Sequence, residues 1–246
     1  MARFYLPQDS IEDKHGCIEG QELEHLRRVL RLEPGDSITV FDDTGWEHEA
    51  VIRQISVARA DIEIVESHRT ERESPLSITL AVGLTKGEKI DFVVEKATEL
   101  GVQIIVPFVS AYTVPRLDEK KMAKRSARWR KIALSAAKQS GRGCIPEIMA
   151  LGDFEELTKK AWPVTLKLLL WENQTEGSLS QVRATAGDVR SVLVVIGPEG
   201  GFSPAEAERA LARGFTTVRL GQRILRAETA AIAGVSLVQF LWGDLR

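Results

Sequence analysis

Two cysteines in 246 residues, Cys17 and Cys144, are too few for a disulfide framework and too far apart for a local zinc knuckle. No run of about 18 apolar residues occurs, which excludes a transmembrane helix. The opening Met1-Ala2-Arg3-Phe4-Tyr5-Leu6-Pro7 lacks the apolar core of a signal peptide, so the expected compartment is cytoplasmic. The four histidines (His15, His25, His48 and His68) have neither metal-ligand spacing nor a nearby cysteine pair, and no metal is expected. G-x-G-x-x-G, G-x-x-x-x-G-K-[ST] and G-x-S-x-G are all missing. Their absence removes the usual dinucleotide fingerprint, the phosphate cradle of nucleotide hydrolysis and the serine nucleophile elbow. What remains is an ordinary globular composition, 43% apolar and 28% charged, with enough apolar residues to build a core.

The formal net charge is -2, from 33 Lys+Arg and 35 Asp+Glu, but the charge is unevenly placed. Residues 1–72 carry 9 basic and 16 acidic side chains, whereas residues 73–246 carry 24 and 19. The densest positive stretch runs from Arg116 to Arg142, with ten basic residues against Asp118 and Glu119. Such a patch attracts phosphate backbones whatever the overall pI. Taken alone, the run fits a solvated helix face equally well.

Over residues 1–70 the pattern is one of short strands. Ser37–Phe41, Ala50–Ile52 and Ala60–Val65 alternate or are rich in β-branched residues, and Asp43-Thr44-Gly45 is a turn signal. One helix interrupts them, with Leu23, Leu26, Val29 and Leu30 on one stripe and Pro34-Gly35 ending it. A small β-barrel is expected here, followed by a polar linker at Glu66–Pro75. Over residues 74–246, strand-like runs at Leu76–Gly83, Gln103–Val109, Thr165–Leu170, Ser191–Gly197 and Thr216–Leu220 alternate with helices. That alternation predicts an α/β domain with a mostly parallel sheet and helices on both faces. Ile90, Val93, Val94, Ala97 and Leu100 form one helical stripe, stopped by Gly101. The last helix, about Ala227 to Leu241, is apolar nearly all round and is expected to be buried in the core or in a subunit interface.

Ligands of open α/β sheets sit beyond the carboxyl ends of the strands. Three such ends carry unusual sequence: Leu170-Trp171-Glu172-Asn173, Ile196-Gly197-Pro198-Glu199-Gly200-Gly201-Phe202, and the run from Leu220 to Thr229. In the second, three glycines allow close backbone approach, and Ser203-Pro204-Ala205-Glu206 is a capping box that fixes the start of the next helix. A strand–helix turn needs one or two glycines. Three, with a Glu199 that reads as buried, point to a ligand loop.

At these loops the sequence resembles a known family. Gly197-Pro198-Glu199-Gly200-Gly201-Phe202-Ser203 together with Leu220-Gly221-Gln222-Arg223-Ile224-Leu225-Arg226-Ala227-Glu228-Thr229-Ala230 is similar to the RsmE family of 16S rRNA uridine-N3 methyltransferases, of the SPOUT class. Further matches are His25–Leu32 with Gly35-Asp36, Lys86-Gly87, Glu95–Val102, Arg128-Trp129, Lys131-Ile132, and Gln139-Ser140 with Arg142 and Pro146. The resemblance covers essentially the whole chain. It implies an N-terminal PUA-like RNA-binding β-barrel over 1–70 and a SPOUT methyltransferase domain over 74–246. The latter would hold a parallel sheet and a C-terminal trefoil knot, in a homodimer. It also implies S-adenosylmethionine as cofactor, held by Leu170, Ile196, Gly197, Gly200, Gly201, Leu220, Gly221, Ile224, Leu225 and Thr229.

The implied substrate is 16S rRNA in the small ribosomal subunit. Uracil N3 carries a proton, so the site needs a base or water relay and a partner for charge spreading onto O2 and O4. Arg226 is the candidate for the second task, and Glu199 or Glu228 for the first or for orienting the base. Both glutamates can equally be caps of their loops. N3 lies on the pairing edge, so the target must be unpaired or flipped out. Arg128, Lys138 and Arg142 from the basic stretch, with Arg3, Arg28 and Arg31, are the expected contacts to the RNA backbone.

Two positions depart from the family: Gln222, where it usually has proline, and Ala111-Tyr112, where it often has an acidic–basic pair. Rival readings are a SPOUT enzyme acting on another RNA, base or ribose hydroxyl, a non-catalytic RNA-binding assembly protein, and a metabolic enzyme that binds NAD or ATP.

Overall fold

A computed structural model describes residues 2–113, 118–174 and 177–245. The chain divides into two compact units, Met1–Glu73 with Ala137–Ile145, and Ser74–Ala136 with Pro146–Arg246.

The first unit contains β1 (Ala2–Tyr5), β2 (Ile11–Glu12), β3 (His15–Glu19), α1 (Gly20–Glu24), β4 (Ser37–Phe41), β5 (Trp46–Ile55) and β6 (Arg59–Arg69). Its six strands form one sheet in the order β1-β4-β5-β6-β3-β2, with β1 parallel to β4 and the other pairs antiparallel. Alternate residues point inward, so Phe4, Ile18, Ile38, Val40, Ile52 and Ile62 meet in a core closed by Leu23 and Leu26. The expected helical stripe holds only that far. A π-helical turn over His25–Val29 follows α1, its wider winding carries later residues off the buried face, and Val29 and Leu30 are exposed. The expected linker is shorter too. Glu66–Arg69 extend β6 beside Trp46–Glu49, and they read as polar because they are an exposed paired strand.

The chain passes from one unit to the other between Glu73 and Ser74, then returns for 137–145, a segment that a single boundary at 70–74 leaves out. That segment is held by charge and backbone bonds. Glu73 accepts from the Arg142 Nη2 at 2.8 Å and from the Gly143 and Cys144 N–H groups at 3.1 and 3.2 Å. Burial, then the carboxylates of Glu73 and Asp43, push the Cys144 thiol up to about 11, so it stays protonated at neutral pH and is no nucleophile.

The second unit contains β7 (Ser77–Gly83), α2 (Lys89–Glu99), β8 (Ile104–Val109), α3 (Glu119–Ser140, whose last residues belong to the first unit), β9 (Glu147–Ile148), β10 (Gly152–Asp153), α4 (Phe154–Lys159), β11 (Leu166–Leu170), α5 (Leu179–Thr185), β12 (Ser191–Ile196), α6 (Pro204–Ala212), β13 (Thr216–Val218) and α7 (Ala227–Trp242). The sheet runs β10-β8-β7-β12-β11-β13 with β9 beside β8, and every pairing is parallel. β7 and β12 lie in its middle and are buried on both faces, which is why they read as unbroken apolar runs. α3 is anchored by Trp129, fully buried, whose Nε1 donates to Asp91 of α2 at 2.9 Å.

α7 is not buried all round. Ala231, Val235 and Val238 face the core, while Leu237 and Phe240 are 41% and 64% exposed. Its apolar composition therefore combines a core face with an uncovered apolar face.

Candidate active site

The carboxyl ends of β11 and β12 and the start of α7 converge on a cavity of about 510 Å³, a size typical of small-molecule sites, about 300–1,000 Å³. Leu170, Ile196, Gly197, Gly201, Ile224 and Leu225, which the resemblance implies for the cofactor, line it together with the catalytic candidates Glu199 and Arg226. Leu220, Gly221 and Thr229 line an adjoining groove that shares Leu225 with the cavity. Sequence reasoning missed Lys89, Pro198, Ala227 and Ala230, and it left Glu172 without a role.

The floor is built by close backbone packing. Phe202 is buried against Phe108 and Phe154, with ring centroids 6.3 and 5.1 Å away, and so pins the glycine loop to the core. Gly201 has φ +68°, and a Cβ there would run into the Glu172 carboxylate. Gly83, which ends β7, backs directly onto Pro198: a Cβ would overlap the Pro198 nitrogen and come within 2.6 Å of its Cδ. Neither atom is the free end of a flexible side chain. Gly83→Ala is accordingly expected to cost about 1–3 kcal/mol and to displace Pro198 from the cavity wall. Denaturant unfolding measures this, and an unchanged midpoint would contradict the packing argument.

Two expected site residues line neither the cavity nor the groove. Gly200 lacks a side chain because Tyr112 occupies that space: a Cβ there would sit 2.6 Å from the Tyr112 Cβ. Glu228 lies in the first turn of α7 between the lining residues Ala227 and Ala230, with its Oε2 buried and unpartnered. Glu199 is exposed rather than buried. Although partial burial pushes its pKa up, the Lys89 ammonium at 2.9 Å and the Lys86 N–H hold it below the ordinary carboxylate range. A carboxylate held so is a poor proton acceptor, and its contacts make it a clamp between the loop preceding α2 and the glycine loop. Among the described residues, no hydrogen bond or ion pair engages the Arg226 side chain, which stands at the N-cap of α7.

The expected RNA contacts separate by burial. Arg142 is 2% exposed and bound to Glu73. Arg3 pairs with Glu47 and donates to the Ala137 and Arg142 carbonyls, and Lys138 donates to both oxygens of Glu22. Arg142 is buried and Arg3 and Lys138 half-buried, and all three are engaged in holding segment 137–145 to the rest of the first unit, which counts against a direct contact to RNA. Arg28 and Arg31 are exposed; Arg128 is exposed but bonded to Glu88 and Asp91. Arg116 lies outside the described residues. Among the described residues no cluster could hold a metal ion.

Residues 72–239 match the family model of the RNA methyltransferase domain, and residues 18–65 match that of the RNA methyltransferase PUA domain. The chain belongs to the RNA methyltransferase family. Its relatives bear out the resemblance read from the loops. It is 34% identical to the ribosomal RNA small subunit methyltransferase E of Bacillus subtilis (strain 168), over 98% of this chain and 96% of the relative. Among solved structures, it superposes on ribosomal RNA small subunit methyltransferase E from Neisseria gonorrhoeae, bound to S-adenosyl methionine, with TM-score 0.88 and 36% identity over all of both chains. A Legionella pneumophila protein in complex with the bound cofactor SAM gives TM-score 0.90 at 33% identity, covering 99% of this chain and 98% of the other. The chain is thus an RNA methyltransferase with a PUA-type first unit and a parallel α/β second unit, and its candidate site lies within the residues that match the methyltransferase domain.

Proposed function

We propose that this protein transfers a methyl group from S-adenosylmethionine to N3 of a uridine in 16S rRNA of the small ribosomal subunit. The observation that carries this is the cavity at the ends of β11 and β12, formed by the same loops that bear the resemblance. The residues present fit the cofactor. Leu170, Ile196, Ile224 and Leu225 offer apolar walls, Gly197 and Gly201 leave the backbone accessible, and Glu172 supplies a carboxylate toward a cationic ligand.

When bound, S-adenosylmethionine would supply a methyl group already activated on a sulfonium. The protein's part is then alignment and charge. Arg226, whose side chain no described residue engages, is placed at the cavity to take the negative charge that spreads onto uracil O2 or O4 as the N3 proton passes to a carboxylate or to water. Glu199 clamps the floor through Lys89. Glu228, in the first turn of α7 with one buried oxygen unpartnered among the described residues, stays the candidate for receiving the proton or orienting the base.

The RNA-contact set narrows to Arg28, Arg31 and Arg128, with the exposed Lys120, Lys121, Lys124, Arg130 and Lys131 of α3. A closed barrel in the first unit, a trefoil knot in the second and a homodimer belong to the same reading. The uncovered Leu237 and Phe240 of α7 support the homodimer. A ribosomal substrate supports a cytoplasmic location.

Calorimetric titration with S-adenosylmethionine, NAD and ATP tests the cofactor. Binding of S-adenosylmethionine alone is expected; binding of NAD or ATP in its place would favour a metabolic enzyme instead.

A further inference from the structure

We propose that Tyr112 is a stacking residue for an unpaired base of the RNA substrate at the rim of the cavity. The inference rests on the RNA-methyltransferase reading and adds a residue to it. A base methylated at its pairing edge must leave its partner and its stack, and proteins that receive such bases commonly offer an aromatic face. Among the described residues, no aromatic side chain lines the cavity itself.

Beside it stand Phe202, buried in the floor, Trp171, half-buried, and Tyr112, the exposed one of the three. It lies in the turn after β8 and is 49% exposed, while Tyr5, the other tyrosine, packs on Phe41 in the first unit. Its Cβ presses on Gly200, which sits between the cavity residues Glu199 and Gly201. The contact is so close that only glycine fits at 200, so the ring's root is fixed relative to the floor of the site.

The turn is also fixed from behind. Ser110 N–H donates to Thr113 Oγ1 at 2.8 Å, and Thr113 N–H donates to the Ser110 carbonyl at 3.1 Å. Ala111 N–H donates to Glu206 Oε1 at 2.9 Å. Glu206 is 3% exposed, and its other oxygen accepts from the Ser203 N–H and hydroxyl at the start of α6. One buried carboxylate thus joins the tyrosine turn to the end of the glycine loop. Ala111-Tyr112 carries no charge to meet a phosphate, so the exposed ring is what this rigid turn presents.

The test compares full-length wild-type protein with Tyr112→Ala, Tyr112→Leu and Tyr112→Phe. Methyl transfer is measured on small subunits from cells lacking the protein, beside calorimetric S-adenosylmethionine affinity. The alanine and leucine variants are expected to lose about tenfold or more in kcat/KM, chiefly through KM, the size expected for a lost base–aromatic stack. Tyr112→Phe should stay close to wild type, and all variants should bind the cofactor normally. Wild-type kcat/KM in the alanine or leucine variant would overturn the proposal, as would a phenylalanine variant as impaired as alanine. Cofactor affinity falling in step with activity would also overturn it, by making Tyr112 a support of the floor. Wild-type protein that binds the cofactor yet methylates no RNA would overturn the underlying reading, and this proposal with it.

Discussion

Arg226→Ala is expected to lower kcat by about 10²–10³, the usual cost of removing one preorganised donor from a developing oxyanion. Cofactor affinity should change far less. The argument rests on how the residue is held. Arg226 is at the N-cap of α7 and lines the cavity, yet its side chain is engaged by no other described residue. Its neighbours in the site differ: the Glu199 charge is matched by Lys89, and Glu172 is hemmed by Gly201. A cation left unmatched in a cavity that needs one is available for charge formed during reaction. Single-turnover transfer rates beside equilibrium cofactor binding measure the split. If both fell together, Arg226 would belong to cofactor binding and the assignment to uracil would fail.

Arg142→Ala is expected to destabilise the protein by about 3–5 kcal/mol, the cost of breaking a buried ion pair by removing one partner. Glu73 would be left with its backbone donors from Gly143 and Cys144 but without the cation beside it. Denaturant unfolding should show the loss, with the first unit most affected. A variant of wild-type stability but weakened RNA binding would restore Arg142 to the RNA surface. Arg28→Ala provides the contrast. That side chain is largely exposed and paired only with Glu24 one turn earlier, so stability should be nearly unchanged.

The difference between these two arginines shows where sequence legibility ends. Both stand in basic stretches, and charge pattern treats them alike. Only the return of segment 137–145 to the first unit, a contact distant in sequence, buries one of them. The second unit was far more legible, because its central strands are covered on both faces and so are written as apolar runs. The Ser203–Glu206 capping box forms with both of its bonds. β2, β9 and β10 escaped because two residues leave no periodicity to read, and β1 and β3 went unread as well. In the site, the glycines marked the cavity, but their reasons were mixed. Gly201 serves the cavity, Gly83 makes room for Pro198, and Gly200 makes room for Tyr112. Glu199 reads as buried in the sequence, whereas the loop turns it outward to Lys89.

The central claim is tested most directly by labelled methyl transfer from S-adenosylmethionine to small ribosomal subunits from cells lacking this protein, followed by nucleoside analysis of the 16S rRNA. The account predicts label in 3-methyluridine, lost in the Arg226→Ala variant. Label in any other nucleoside, or none despite cofactor binding, would contradict it.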